Sequence, residues 1–261
     1  MTITDCLPAE VCSPEPGSVA LVTGGNSGIG FETARQLLDH GVTVWIGVRD
    51  LDKGQHASKE LGSAVRIVQL DVTDPPSVAA AVQQIDELDI LVNNAGVNPG
   101  GEDINGATLE QVRVAFETNV FGLISVTQGF LPALLRSAHP RIVNVSSGTG
   151  SLTWSGGPNP QFDWERAKGG GLAYRGSKTA VNAVTLLTAQ ALGEGVKVNA
   201  LAPGSAPHQS HRGHVGWLGP GRGCHGSRSS RAHPRRWPHR GPLVWGRHTR
   251  SLVGKGSRCC L

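Results

Sequence analysis

Tyr174 and Lys178 stand four residues apart in the stretch LAYRGSKTAV. On a helix, that spacing places both side chains on one face. An ammonium beside a phenol favours the phenolate and lowers the tyrosine pKa from about 10 towards neutrality, which turns the hydroxyl into a usable proton donor or acceptor. Plain surface pairs share this spacing, but Tyr174 is the only tyrosine of the chain and a Ser146-Ser147 doublet precedes it. A second cluster lies near the N-terminus, where TGGNSGIG (23–30) carries Gly24, Gly28 and Gly30. Glycine lets backbone approach a pyrophosphate closely, and a helix N-terminus offers free N–H groups and a dipole suited to anions. The two clusters suggest a phosphate-bearing ligand at one place and a proton-transferring group at another.

These residues need elements to hold them. Apolar runs that stop at glycine or polar residues predict strands at 18–23, 42–48, 64–70, 88–96, 141–147 and 196–204. Helical spacing of apolar residues predicts helices over 28–41, 51–62, 74–85, 108–136 and 174–192, with Gly41 a natural stop and Pro75–Pro76 tolerable only at a helix start. Strands apolar on both faces that alternate with amphipathic helices imply a buried parallel sheet. The expected fold class is therefore α/β: a Rossmann-like doubly wound parallel sheet in a single domain. The alternation stops at Gly204, so the C-terminal part is expected to be irregular. Three segments follow: a flexible leader (1–17), a dinucleotide-binding and catalytic domain (18–204) and a basic tail (205–261) expected to be poorly ordered.

The net charge of +4 conceals an asymmetry. Residues 205–261 hold ten Arg, one Lys, seven His and no acid, a formal +11, which leaves −7 for residues 1–204. A basic balance confined to one end says nothing about partners of the folded body. The five cysteines lie at 6, 12, 224, 259 and 260, outside the body, so no disulfide framework is suggested. No run of about 18 apolar residues argues for a membrane span. The first residues lack the charged and apolar regions of a secretory signal, so the expected location is cytoplasmic.

The pattern TGxxxGxG, rather than GxGxxG, resembles the cofactor turn of the short-chain dehydrogenase/reductase family. The resemblance extends through LDVTD (70–74), NNAG (93–96), TNVFG (118–122), IVNVSS (142–147), YRGSK (174–178) and VNALAPG (198–204), in the family's order and over about seven-tenths of the chain. It implies an NAD(P)-dependent oxidoreductase that moves a hydride between a nicotinamide and a carbonyl or alcohol. Tyr174 is then the general acid/base, Lys178 holds the nicotinamide ribose and tunes Tyr174, Ser147 (rather than Ser146) polarises the substrate carbonyl, and Asn119 fixes a water of a proton relay; Asn119 in a kinked helix is the competing reading. For the cofactor, it implies contacts from Gly24, Asn26, Ser27, Gly28, Ile29 and Gly30 in the turn. Asp71 and Val72 are placed at the adenine, Asn93, Asn94, Ala95 and Gly96 along the channel, and Pro203 and Gly204 at the end of the last strand, with Tyr174 and Lys178 at the ribose.

NAD-type relatives place an acid at the end of the second strand to hold the ribose hydroxyls. Here Val48 and then Arg49 occupy that place. A guanidinium suits a 2′-phosphate, so NADP is expected over NAD, although Asp50 next door blurs the sign. Between Ser147 and Tyr174 lie 26 residues, roughly twice the family's usual gap. The segment TWSGGPNPQFDWERAKGGG (153–171) is Gly-, Pro- and Trp-rich and is read as a loop over the substrate side. This feature looks most like the carbonyl-reductase-like branch. Expected partners are a small-molecule carbonyl or alcohol and a homo-oligomer, with no membrane.

After Gly204 the family's lid, last helix and seventh strand cannot be traced. His208, His211, His214, Cys224 and His225 do not make a recognisable zinc spacing, and no metal is expected. An Arg/Gly/Trp-rich tail is also compatible with nucleic acid or another acidic partner, the alternative function class, which the body's motifs make the lesser reading. A third reading is a shifted frame. RRWPHRG (235–241) can be encoded so that reading one base later gives DDGPTG, similar to a turn that often precedes the family's last strand. The expected consequence is cofactor binding with impaired turnover.

Overall fold

The computed structural model describes residues 14–157 and 168–203. The apolar runs form six strands: β1 (Val19–Thr23), β2 (Thr43–Val48), β3 (Val65–Gln69), β4 (Ile90–Asn93), β5 (Arg141–Val145) and β6 (Lys197–Leu201). They make one parallel sheet in the order β3-β2-β1-β4-β5-β6. The chain therefore starts at the centre, winds outward one way, returns, and winds outward the other way. In such sheets the crevice opens where the order reverses, at the carboxyl ends of the two central strands. Here those are β1 and β4.

Among the described residues, seven α-helices accompany the strands: α1 (Gly28–Asp39), α2 (Leu51–Leu61), α3 (Pro75–Val82), α4 (Leu109–Phe116), α5 (Leu123–Leu134), α6 (Leu152–Ser155) and α7 (Leu172–Leu192). One face of the sheet packs Ala34 and Leu37 of α1 and Ala57 of α2 against Val22, Val44 and Ile46. The other packs Val78 and Ala81 of α3 and Phe130 and Leu134 of α5 against Leu21, Val68 and Leu91. Both faces of the strands are thus apolar because both are covered, as expected for a doubly wound fold. Val181 of α7 is fully buried in a smaller cluster with Val120 and Leu123.

Several boundaries differ from expectation. The body begins before residue 18: Ser18 donates to the Glu15 carbonyl and Gly17 to that of Gly41, both at 3.0 Å. β4 ends at Asn93 and β6 at Leu201, because the following residues leave the ladder to line a cleft. The helix expected over 108–136 is interrupted by a π segment (Glu117–Gly122). That wider turn turns Asn119 inward, where it is 1% exposed. α7 starts at Leu172, two residues before Tyr174. Its start is set by Gly171, whose φ of +76° favours glycine, and by N–H donation from Gly171 and Leu172 to the Gly101 and Glu102 carbonyls. The segment 153–171, read as a loop, begins as the last residues of α6, whose first turn Ser151 caps through Trp154 N–H. Residues 158–167, most of the leader, Gly204 and the tail lie outside the described residues.

Candidate active site

A cleft of about 520 Å³ opens at the carboxyl ends of β1 and β4. Gly24, Asn26, Ser27, Gly28 and Ile29 form its first wall. Gly24 (φ +64°) and Gly28 (φ +55°) sit in the left-handed region, where a side chain would strain the turn. Asp50, Asp74 and Thr108 cap α2, α3 and α4 with their side chains, but Ser27 makes no capping hydrogen bond on α1. The first N–H groups of α1 and the Ser27 hydroxyl therefore face the cleft with hydrogen bonds still to make. This is the donor set and dipole that a pyrophosphate needs.

Two expected cofactor residues are elsewhere. Gly30 does not reach the cleft: a Cβ there would fall 2.4 Å from Asn94 Nδ2 and 2.5 Å from the Gly24 carbonyl oxygen, so this glycine lets α1 close on the loop beneath it. Asn93 is a core residue, 4% exposed, donating to Thr127 Oγ1 and Asn144 Oδ1 at 2.9 Å. β4 ends at Asn93, and its neighbour turns the other way, its N–H bonding back to the Val92 carbonyl. Asn94 lines the cleft and donates to the Thr23 and Gly24 carbonyls at 2.9 and 3.2 Å. Thr23 Oγ1 in turn accepts from the N–H groups of Asn94 and Ala95. The ends of β1 and β4 are sewn together just below the cleft floor.

At the end of β2, Val48 is buried and Arg49 is exposed on the cleft rim. Asp50 is committed elsewhere. Its Oδ1 accepts from the N–H groups of Asp52 and Lys53, and its other oxygen lies 3.4 Å from Lys53 Nζ. The carboxylate that blurred the charge at this position is thus a helix cap. Asp71 and Val72 line the same end. Hydrogen bonds from the Thr73 hydroxyl and N–H hold the Asp71 carboxyl below its ordinary pKa against an opposing push from burial, and Arg49 adds to the lowering. Mid-strand Gly47 also lines the cleft, where an added Cβ would meet Leu70 at 2.9 Å. A glycine inside a strand was the signal available for it.

The other end of the cleft holds Ser147, Tyr174 and Lys178. Ser147 follows β5, while Tyr174 and Lys178 lie one turn apart on α7. Burial raises the Tyr174 pKa, and a hydrogen bond from Ser147 pulls it back. The lowering expected from Lys178 is absent. Lys178 is 4% exposed, its Nζ donates to the Val145 carbonyl at 2.7 Å, and it lies 5.7 Å from the centroid of the Tyr174 ring. Burial pulls its own pKa down to about 8. Both groups are thereby biased towards their neutral forms, and the proton on Tyr174 is retained.

Asn119 does not line the cleft. Its Nδ2 donates to the Val97 carbonyl and to Ser177 Oγ, both at 2.9 Å, and its Oδ1 accepts from Val97 N–H at 2.8 Å. Ser177 Oγ donates onward to the Tyr174 carbonyl. Asn119 thus ties the segment after β4 to the first turn of α7. The same oxygen approaches Gly96: a Cβ there would lie 3.1 Å from it and 3.5 Å from Lys178 Nζ. Ala95, Gly96 and Pro203 line the cleft as expected, joined by Thr118 of the TNVFG stretch and by Val97 and Asn98, for which the sequence carried no separate signal. Among the described residues, no group of three metal-ligating side chains converges and no helix is long and apolar enough to cross a membrane.

An NAD(P)-binding crevice at a topological switch point, with Ser, Tyr and Lys side chains at one end, defines a dehydrogenase of the short-chain type. The comparisons agree. The family model described as short chain dehydrogenase matches residues 18–160. "Short-chain dehydrogenase anuI" of Penicillium roqueforti is 36% identical over 201 residues, 71% of this chain and 77% of that protein. The Pseudomonas aeruginosa RhlG/NADP active-site complex superposes with a TM-score of 0.65 at 29% identity, covering 75% of each chain. A 3-ketoacyl-(acyl-carrier-protein) reductase from Brucella melitensis complexed with NADH does so with a TM-score of 0.63 at 27% identity, covering 72% of this chain and 76% of that one. The chain belongs to the short-chain dehydrogenase family and is an NAD(P)-dependent oxidoreductase.

Proposed function

We propose that the protein is an NADP(H)-dependent oxidoreductase acting between a carbonyl and an alcohol, of the carbonyl-reductase-like kind. The observation that carries this reading is the joint placement of Ser147, Tyr174 and Lys178 at one end of a cleft whose other end is an uncapped helix N-terminus. The residues present fit the cofactor. The α1 N-terminus and Ser27 would take the pyrophosphate, Asp71 and Val72 would meet the adenine, and Lys178 would meet the ribose. NADP is favoured over NAD because Arg49 stands on the rim while Asp50 is occupied as the α2 cap.

A bound nicotinamide supplies or accepts the hydride. The chain supplies the rest. Ser147 Oγ donates to the substrate oxygen and holds it beside the Tyr174 hydroxyl. Tyr174, kept protonated by burial, passes its proton to that oxygen as negative charge develops. Lys178, held on the Val145 carbonyl, would meet the cofactor's ribose beside Tyr174, and Asn119 keeps α7 in register with the segment after β4. Purified full-length protein is expected to bind NADPH more tightly than NADH and to oxidise NADPH with at least one member of a carbonyl panel. Tyr174→Phe is expected to lose about a hundredfold or more in turnover with NADPH affinity kept. Equal turnover by that variant would refute the assignment.

The tail is read as the family's C-terminal sequence displaced from its frame, with weakened turnover as the consequence. Sequencing the gene across the codons around Gly204 tests it, and an uninterrupted frame with the same tail in close relatives would overturn it. A salt-sensitive shift of RNA or DNA by the protein would instead favour the acidic-partner reading of the tail.

A further inference from the structure

Ser146 is the serine that the sequence pairs with Ser147, and nothing in the proposed reaction uses it. It is 4% exposed, and its N–H donates to the Leu201 carbonyl at 2.7 Å, extending the β5–β6 ladder by one residue. Its hydroxyl points away from the sheet towards α7. There it donates to Asn182 Oδ1 at 2.6 Å and lies 3.3 Å from the Lys178 carbonyl oxygen. The amide of Asn182 is used at both ends, because its Nδ2 donates to the Gly150 carbonyl at 3.2 Å. Thr179 Oγ1 lies 3.0 Å from the same carbonyl. The short 3-10 turn Gly148–Gly150 is therefore pressed against α7, so tightly that a Cβ on Gly150 would stand 2.6 Å from the Lys178 carbonyl carbon.

Tyr174, Lys178 and Asn182 are spaced i, i+4 and i+8, one stripe of α7. Ser146, Ser147 and Gly150 belong to one short segment facing that stripe. We propose that Asn182 is a positioning residue for Ser147, fixing the segment 146–150 on α7 by bridging Ser146 and Gly150. The inference rests on the role proposed for Ser147 and deepens it. Ser147 lies between the two anchored residues, so its backbone cannot shift relative to Tyr174 unless one anchor gives way, and its hydroxyl keeps the origin from which it reaches Tyr174. The geometry resembles that of a hydrogen-bonded support for a reacting group, where displacements well below 1 Å matter.

The lone tyrosine provides a readout that does not depend on turnover. Tyrosinate absorbance in an alkaline titration of the full chain reports Tyr174 alone, with circular dichroism confirming the fold at each pH. Wild type, Ser147→Ala, Asn182→Ala, Ser146→Ala and the Ser147→Ala/Asn182→Ala double variant are compared in this titration and in single-turnover NADPH oxidation. Ser146→Ala removes the same bridge from its other end and serves if Asn182→Ala does not fold. The expected result is a higher Tyr174 midpoint in Ser147→Ala, a shift in the same direction in Asn182→Ala and in Ser146→Ala, and no further shift in the double variant. Turnover falls by about tenfold or more in Asn182→Ala, with the KM for NADPH within about twofold, and the loss vanishes in the Ser147→Ala background. Additive losses, or a Tyr174 midpoint that Asn182→Ala and Ser146→Ala leave in place, would overturn the proposal. If Ser147→Ala shifts the midpoint while no variant, wild type included, turns over, the titration still decides the positioning role, and the reductase reading alone fails.

Discussion

Replacing Lys178 with methionine gives a sharp test of how burial shapes this site. The ammonium is 4% exposed, has one backbone carbonyl as partner and is pulled from 10.5 to about 8. The unfolded chain holds its proton up to the higher value and the folded chain only up to the lower one. Between those values the unfolded state therefore binds more protons, and stability rises with pH. Below about pH 8 both states are protonated and the penalty is constant. A gap of between two and three pH units corresponds to about 3 kcal/mol at 1.36 kcal/mol per unit. Lys178→Met removes that penalty but leaves the Val145 carbonyl without its donor, a cost of about 1–3 kcal/mol that does not vary with pH. Urea unfolding of both proteins without cofactor, from about pH 7 to 10, is the assay. The variant is expected to be comparable to or more stable than wild type at pH 7 and to lose that advantage as wild type gains through the alkaline window. Parallel curves would show that the buried amine carries no charge penalty and would refute the reasoning.

Three other outcomes are expected. Arg49→Ala raises the Kd for NADPH by about tenfold and leaves that for NADH within about twofold, as fluorescence titration will show; equal effects on both cofactors would remove the basis for the NADP reading. Asp50→Ala lowers unfolding stability because two N–H groups of α2 lose their acceptor, while replacing Ser27, which caps nothing, with alanine leaves stability in place and weakens cofactor binding. Gly150→Ala forces a methyl against backbone atoms of Lys178 and Thr179, at 2.6–2.9 Å, that cannot rotate aside. A loss of about 1–3 kcal/mol in urea unfolding together with reduced turnover is expected, and a variant with wild-type stability and rate would contradict the close packing of that turn.

The sequence by itself determined the class of fold and named many of the residues that line the cleft. Strand-and-helix alternation depends on local apolar periodicity. The glycine turn is a local backbone requirement, and the Tyr174–Lys178 pair needs only one turn of helix. Each is a short-range property that a chain carries wherever it sits. Tertiary structure decided what depends on which surfaces meet. Asn93 and Asn94 are adjacent and alike in sequence, yet one serves the core and the other the cleft, because β4 ends between them. Burial reversed the direction expected for Tyr174, since a phenolate loses more by leaving water than a lysine turned to a carbonyl returns to it. Asp50 next to Arg49 looked like a competing charge until the start of α2 claimed it. Ser146 and Asn182, 36 residues apart, became partners only when β5 was laid against α7. Contacts between segments distant in the chain have no local signature, so only the packed structure shows them.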